Sequence, residues 1–227
     1  MDDKKEIASI HSARGIVYAF LSNGFMMQVD DKFYKMLSEI IPYLAELSSN
    51  SDISYGVDLF NKFINKKNTL QGAAADEFNL ELQRKYTYIM CIPGNVPQEE
   101  SYYTSQEHIL NQESYEEMVM LFDKYNIALS DTSFSYDHIG IELKFMSHLS
   151  YLSEKALSNE KLYNEILKEQ YNFHINHFDK WINEFVAKVN KSAGEEELLF
   201  NGLASVLQGF LNEDKVVLLQ LLETVNK

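Results

Sequence analysis

Asp137-His138-Ile139-Gly140-Ile141-Glu142-Leu143-Lys144-Phe145-Met146-Ser147-His148-Leu149 is the stretch that decides the fold. Ile141, Phe145 and Leu149 recur every four residues and Leu152 continues the stripe, while Ile139, Leu143 and Met146 add a second one beside it. Two adjacent stripes at helical spacing make a broad apolar face, which predicts a central, mostly buried helix. Asp137 stands where an N-cap carboxylate belongs, with His138 in the first turn and Gly140 permitting close helix packing.

The same periodicity extends in both directions. Ile7, Ile10, Arg14, Val17, Tyr18 and Leu21 predict a first helix ending near Asn23-Gly24, and Asp30 a cap for a second helix through Phe33, Leu37, Ile40 and Leu44. Pro42 inside that pattern predicts a kink or a split. A third helix carries Val57, Phe60 and Phe63, and a long one runs from Gly72 to Cys91. Thr104 with Glu107 and Ser114 with Glu117 both fit a capping box, the second opening a helix through Met118 and Phe122. Downstream, Ser158 caps a very long helix to Val189, and Gly194 interrupts it. Glu195 to Glu197 place negative charge at the positive end of the next helix, and Asn212 caps a last one. The expectation is an all-α chain, one globular multi-helix domain over 1–227 with roughly nine to eleven helices. A loop hinge is expected at 92–100, where Pro93, Gly94 and Pro97 cannot continue a helix, and a lobe boundary near 131–136.

Composition agrees. Three prolines and nine glycines in 227 residues are few breakers, and 45% hydrophobic residues can fill a core. The net charge of −14, from 34 acids against 20 bases, opposes nucleic-acid binding, which rests on neutralising phosphates, and favours basic partners. A single cysteine, Cys91, excludes an internal disulfide and a multi-cysteine zinc site and suits a reducing compartment. No apolar run reaches the length of a membrane span, and Met-Asp-Asp-Lys-Lys lacks the apolar core of a signal peptide, so the expectation is a cytoplasmic protein without stable membrane insertion.

Residues that could carry chemistry are sparse along the chain. Six histidines occur, and His174 and His177 lie three apart on one helix, a spacing open to a metal or to a helical metal or haem enzyme. No Glu stands three residues before any histidine, and neither His-Glu-x-x-His, a P-loop nor a Gly-x-Ser-x-Gly elbow occurs. The expectation is no catalysis, no cofactor and no tightly bound metal. Eight methionines and 13% aromatic residues suit an adaptable peptide groove or a helical interaction scaffold.

The stretch from Tyr86 to Leu149 resembles the TorD/DmsD/NarJ family of redox-enzyme maturation chaperones. The resemblance is carried by Tyr86-Thr-Tyr-Ile89-Met90-Cys-Ile92-Pro93-Gly94, by Glu100-Ser101-Tyr102-Tyr103, and by Asp137, His138, Gly140, Glu142, Leu143, Phe145 and Met146 in order. Phe173, His177, Trp181 and Phe185 follow. Ile92, Gln98, Glu99 and Tyr136 depart from the family pattern, which bears on the sub-branch and the client. The resemblance implies a helical chaperone that binds the apo catalytic subunit of a molybdopterin oxidoreductase, often through its twin-arginine signal peptide, as a monomer or a helix-swapped dimer. On this reading Asp137 and Glu100 receive the basic part of the peptide, pairing with arginine. Tyr86, Ile89, Met90, Pro93, Ser101, Tyr103 and His138 line or border the groove. Gly140, Glu142, Leu143, Phe145, Met146, His177 and Trp181 are the structural motif.

Overall fold

The computed structural model describes residues 2–26, 29–46, 50–92, 94–129 and 133–225. Among them are ten α-helices, two π turns and no strand, only an isolated antiparallel bridge between Glu99 and His138. No helix among them is long and apolar enough to cross a membrane. The helices are α1 (Asp2–Met26), α2 (Asp31–Glu46), α3 (Ser51–Asn68), α4 (Ala73–Tyr86), α5 (Glu100–Thr104), α6 (Glu113–Lys124), α7 (Ile139–Ala156), α8 (Glu160–Phe173), α9 (Asp179–Ala193) and α10 (Leu199–Val225). The π turns are Thr87–Cys91, after α4, and His174–Phe178, between α8 and α9. The all-α expectation holds.

The chain divides into two units. The first gathers residues 1–22, 99–181 and 211–227. Helix α7 is its centre, as its double stripe predicts: Ile139, Ile141, Leu143, Phe145, Met146 and Leu149 are all buried. Helix α1 approaches it closely at Gly15, whose carbonyl accepts from Ser147 Oγ at 2.9 Å, and Ser22 Oγ donates to the Gly140 carbonyl at 2.7 Å. A buried polar network lies alongside. Arg14 forms a two-pronged pair with Asp214 at 2.5 and 3.0 Å and donates to Gln170 at 2.8 Å. Tyr18 donates to Asp214 at 2.7 Å, and His174 Nε2 sits 3.0 Å from the same carboxylate. Burial pushes the Asp214 carboxyl up, but Arg14 and the His174 hydrogen bond outweigh it and hold the group well below the usual carboxylate range.

The second unit comprises residues 23–98 and 182–210. Its helices α3 and α10 meet at glycines. A Cβ on Gly56 would stand 2.5 Å from Val206 and 2.9 Å from the Gly202 carbonyl, so any side chain there would force the helices apart. Asn50 caps α3 by accepting from Asp52 N and Ile53 N, and Glu197 does the same for α10 through Leu199 N and Phe200 N.

Several local expectations are corrected. Helix α2 runs unbroken through Pro42. A proline inside a helix costs about 3 kcal/mol, but Phe33, Leu37, Ile40 and Leu44 are all buried across it, and burying each contributes about 1.5–3 kcal/mol. Helix α10 continues through Asn212, held by buried Leu211 before it and buried Asp214 and Leu218 beyond it. Asn159, not Ser158, caps α8, its side chain accepting from Leu162 N at 3.2 Å. Thr104 ends α5 instead of opening a helix, its hydroxyl returning to the Glu100 carbonyl.

Candidate functional site

Asp137 is the centre of the site, in a role its sequence position does not reveal. It does not cap its own helix. His138 does that, with Nδ1 accepting from Gly140 N at 3.0 Å. Burial lowers the His138 ring to about 4, against the opposite pull of Asp137, so the ring is neutral near pH 7 and Nδ1 keeps the lone pair the cap needs. The Asp137 carboxylate crosses to another helix. Its Oδ2 accepts from Ser101 N, in the first turn of α5, at 3.0 Å, and Ser135 Oγ donates to its Oδ1. The Asp137 carbonyl accepts from Glu100 N at 2.9 Å, and the bridge between Glu99 and His138 completes the clasp. Ser114 adds to it. Helix α6 begins one residue before the expected box, and Ser114 turns inward, 3.5 Å from Asp137 Oδ2.

The clasp points the first residue of α5 inward. Glu100 is buried, and its Oε2 lies 2.7 Å from His177 Nδ1. Glu142, one turn into α7, is wholly enclosed beside them. One ligating atom from each of Glu100, Glu142 and His177 falls within 4.8 Å of the others. Burial first, then Glu100 and Asp137, push the Glu142 carboxyl well above its usual range, with the Trp181 indole pulling the other way. Glu142 Oε1 and Oε2 and Glu100 Oε1 are enclosed with no hydrogen-bond partner. His177 stacks on Phe173 with ring centroids 4.3 Å apart, and Trp181 lies against Tyr103 at 5.1 Å.

The structure thus brings Glu100, Ser101, Asp137, His138, Glu142, His177 and Trp181 together in the first unit, all buried, with Tyr103 half-buried at the edge. Asp137 and Glu100 are covered, so neither carboxylate stands at the surface. Tyr86, Ile89 and Met90 belong to the second unit and are buried there. Pro93 lies outside the described residues. The loop around it is less open than its prolines predict. Ile92 and Gly94 are exposed, but Val96 and Gln98 are buried, and Gln98 Nε2 donates to the Met90 carbonyl at 2.5 Å. His174 and His177 do not act as a pair, since the π turn sends them to different partners, Asp214 and Glu100. The Glu100–Glu142–His177 cluster escaped the sequence reading because its members stand 42 and 35 positions apart and share no local spacing.

The nitrate reductase delta subunit family model matches residues 53–187, more than half of the chain, so the chain belongs to that family, a group of redox-enzyme maturation chaperones and not of catalysts. The chain is 24% identical over 214 residues to a chaperone protein TorD of Shewanella, covering 91% of this chain and 94% of that one. It is 23% identical over 159 residues to the TorD of Aliivibrio fischeri, covering 69% and 73%. A solved structure of a redox enzyme maturation protein from Archaeoglobus fulgidus aligns over 87% of this chain and 93% of the other, at 18% identity and a TM-score of 0.48.

Proposed function

We propose that this chain is a cytoplasmic chaperone that binds the apo catalytic subunit of a molybdopterin oxidoreductase through its twin-arginine signal peptide. It holds that subunit back from export until the cofactor is inserted. The family match across residues 53–187 carries the reading. Surface chemistry supports it. Glu113 and Glu116 are exposed on α6 with Met120, 62% exposed, one turn further on, and Ile109 and Leu110 are exposed just before them. A twin-arginine peptide is basic and then apolar, and it needs carboxylates beside an adaptable greasy surface.

In this proposal Asp137, Ser101, His138 and Glu100 act from beneath. They hold α5 so that Tyr103 borders the groove, and Asp137 and Glu100 become available to arginine only as α5 lifts. Tyr86, Ile89, Met90 and Pro93 belong to the proposal as residues that offer apolar surface to the peptide. Calorimetry with the twin-arginine peptide of the host's molybdoenzyme tests it. The native chain should bind, and Asp137→Asn should weaken binding at least about tenfold, or 1.4 kcal/mol. The same substitution weakens a helix-terminal bond worth about 0.5–2 kcal/mol, so its fold is checked by circular dichroism. A native chain with no measurable affinity for the peptide would end the proposal.

A further inference from the structure

Among the described residues of the first unit, the buried carboxylate oxygens left without partners, Glu100 Oε1 and both of Glu142, lie where three metal-ligating side chains converge; Asn164 Oδ1 on α8 is a separate case. Glu100 is 1% exposed, Glu142 0% and His177 4%. Three of the four carboxylate oxygens in the cluster have no donor in good hydrogen-bond geometry, although the Glu100 carboxyl and the Trp181 indole stand beside Glu142. No Lys or Arg pairs with Glu100, Glu142 or Asp137 among the described residues. Buried carboxylates are sustained by a cation, a proton or a metal. Apart from the His177 ring, no basic side chain faces the cluster among the described residues.

We propose that Glu100, Glu142 and His177 form a binding site for one divalent first-row transition-metal ion, with a carboxylate oxygen from each glutamate and the Nδ1 of His177 as ligands. Two carboxylates and a neutral imidazole sum to −2, which a divalent ion cancels. The donors are oxygen and nitrogen without thiolate, which selects Zn²⁺, Mn²⁺ or Fe²⁺ over Cu⁺ and disfavours Ca²⁺, which prefers oxygen alone. Metal–ligand bonds of about 2.0–2.2 Å place ligand atoms roughly 3.3 Å apart in a tetrahedral site. The Glu100–His177 contact of 2.7 Å therefore opens by a few tenths of an ångström, and the ion displaces to solvent both the proton between them and the one held by Glu142. The far side of the ring is prepared too. His177 Nε2 faces the Glu117 carboxylate at 4.0 Å, too long for a hydrogen bond but near enough to become the outer partner of a metal-bound imidazole once the ring shifts. Glu117 and His177 also line a surface cavity of about 250 Å³, so His177 is the member of the cluster that borders it.

The site draws on α5, α7 and the π turn before α9, so an ion there would pin the Asp137 clasp from below. It rests on these contacts and not on the proposed client. The test uses the full chain after treatment with a chelator, titrated separately with ZnCl₂ and MnCl₂ by calorimetry while the fluorescence of Trp181 is followed. Trp181 is the only tryptophan in the sequence and its indole lies beside Glu142. One equivalent of ion should bind with a change in that fluorescence. Glu142→Gln and His177→Gln, each shown to be folded by circular dichroism, should bind about 100-fold more weakly or worse. If neither ion binds the native chain, the cluster holds only a shared proton and the proposal fails. It fails equally if folded Glu142→Gln binds as tightly as the native chain, since the ion is then elsewhere.

Discussion

The first unit contains two buried polar clusters that solve the same problem in opposite ways. Around Asp214, an acid is met by Arg14, Tyr18 and His174, and the neighbouring Gln170 is tied to Arg14 and Ser153. Around Glu142, two acids face each other with one histidine, and three oxygens are left over. The first cluster carries its own cation and has no need of anything else. The second is incomplete by one positive charge or one proton. Complete networks rigidify a core, whereas incomplete ones mark where a fold has something to receive.

The largest effect should come from breaking the complete cluster. Removing one partner of a buried pair strands a charge and costs about 3–5 kcal/mol. Arg14→Met should lower unfolding stability by that amount in a urea titration. A loss below about 1 kcal/mol would mean that the Asp214 cluster is as loosely held as its neighbour.

Acid should act next. Burial and the Arg14 charge lower His11 to about 3, against the pull of Asp214, and burial lowers His138 to about 4. Both values lie below the unfolded value of 6.5, so the unfolded chain takes up protons that the folded one refuses. Their contribution is complete above about pH 6.5 and is lost as pH falls toward 4 and 3. From pH 6.5 to 5 each should cost about 2 kcal/mol. Urea midpoints that do not move across this window would show that both rings accept protons in the folded state.

The smallest effect should be Glu142→Gln in the chelator-treated chain, within about 1 kcal/mol of native. Its carboxyl is pushed well above the usual range, so a neutral amide of the same shape replaces a group that favours its neutral form. A loss above 3 kcal/mol would erase the contrast with Arg14→Met.

What the sequence disclosed and what it withheld divide along the same line. Helices follow from spacing, so the double stripe of α7 was legible: Ile139, Ile141, Leu143, Phe145, Met146 and Leu149 are buried, while Leu152 at its far end is half-buried. Caps follow from spacing only when the cap partner is local. Asp137 looks like the cap of α7, but its carboxylate serves α5, some 36 positions earlier in the chain. Ser114 fails as a local cap for the same reason. Glu142 was legible as part of a motif but not as chemistry, because its partners come from two other helices. His174 and His177 misled in the reverse direction: their spacing suits a shared ion, and a π turn parts them.

The Arg14–Asp214 pair has a consequence for synthesis. The two residues are separated by 200 positions. At about 5–20 residues per second a ribosome needs roughly 10–40 s to travel from one to the other. For all of that time Arg14 has no Asp214 to meet, and the first unit lacks its final segment, residues 211–227. A member of a chaperone family is itself, for most of its own making, an unfinished chain with a charge still to settle.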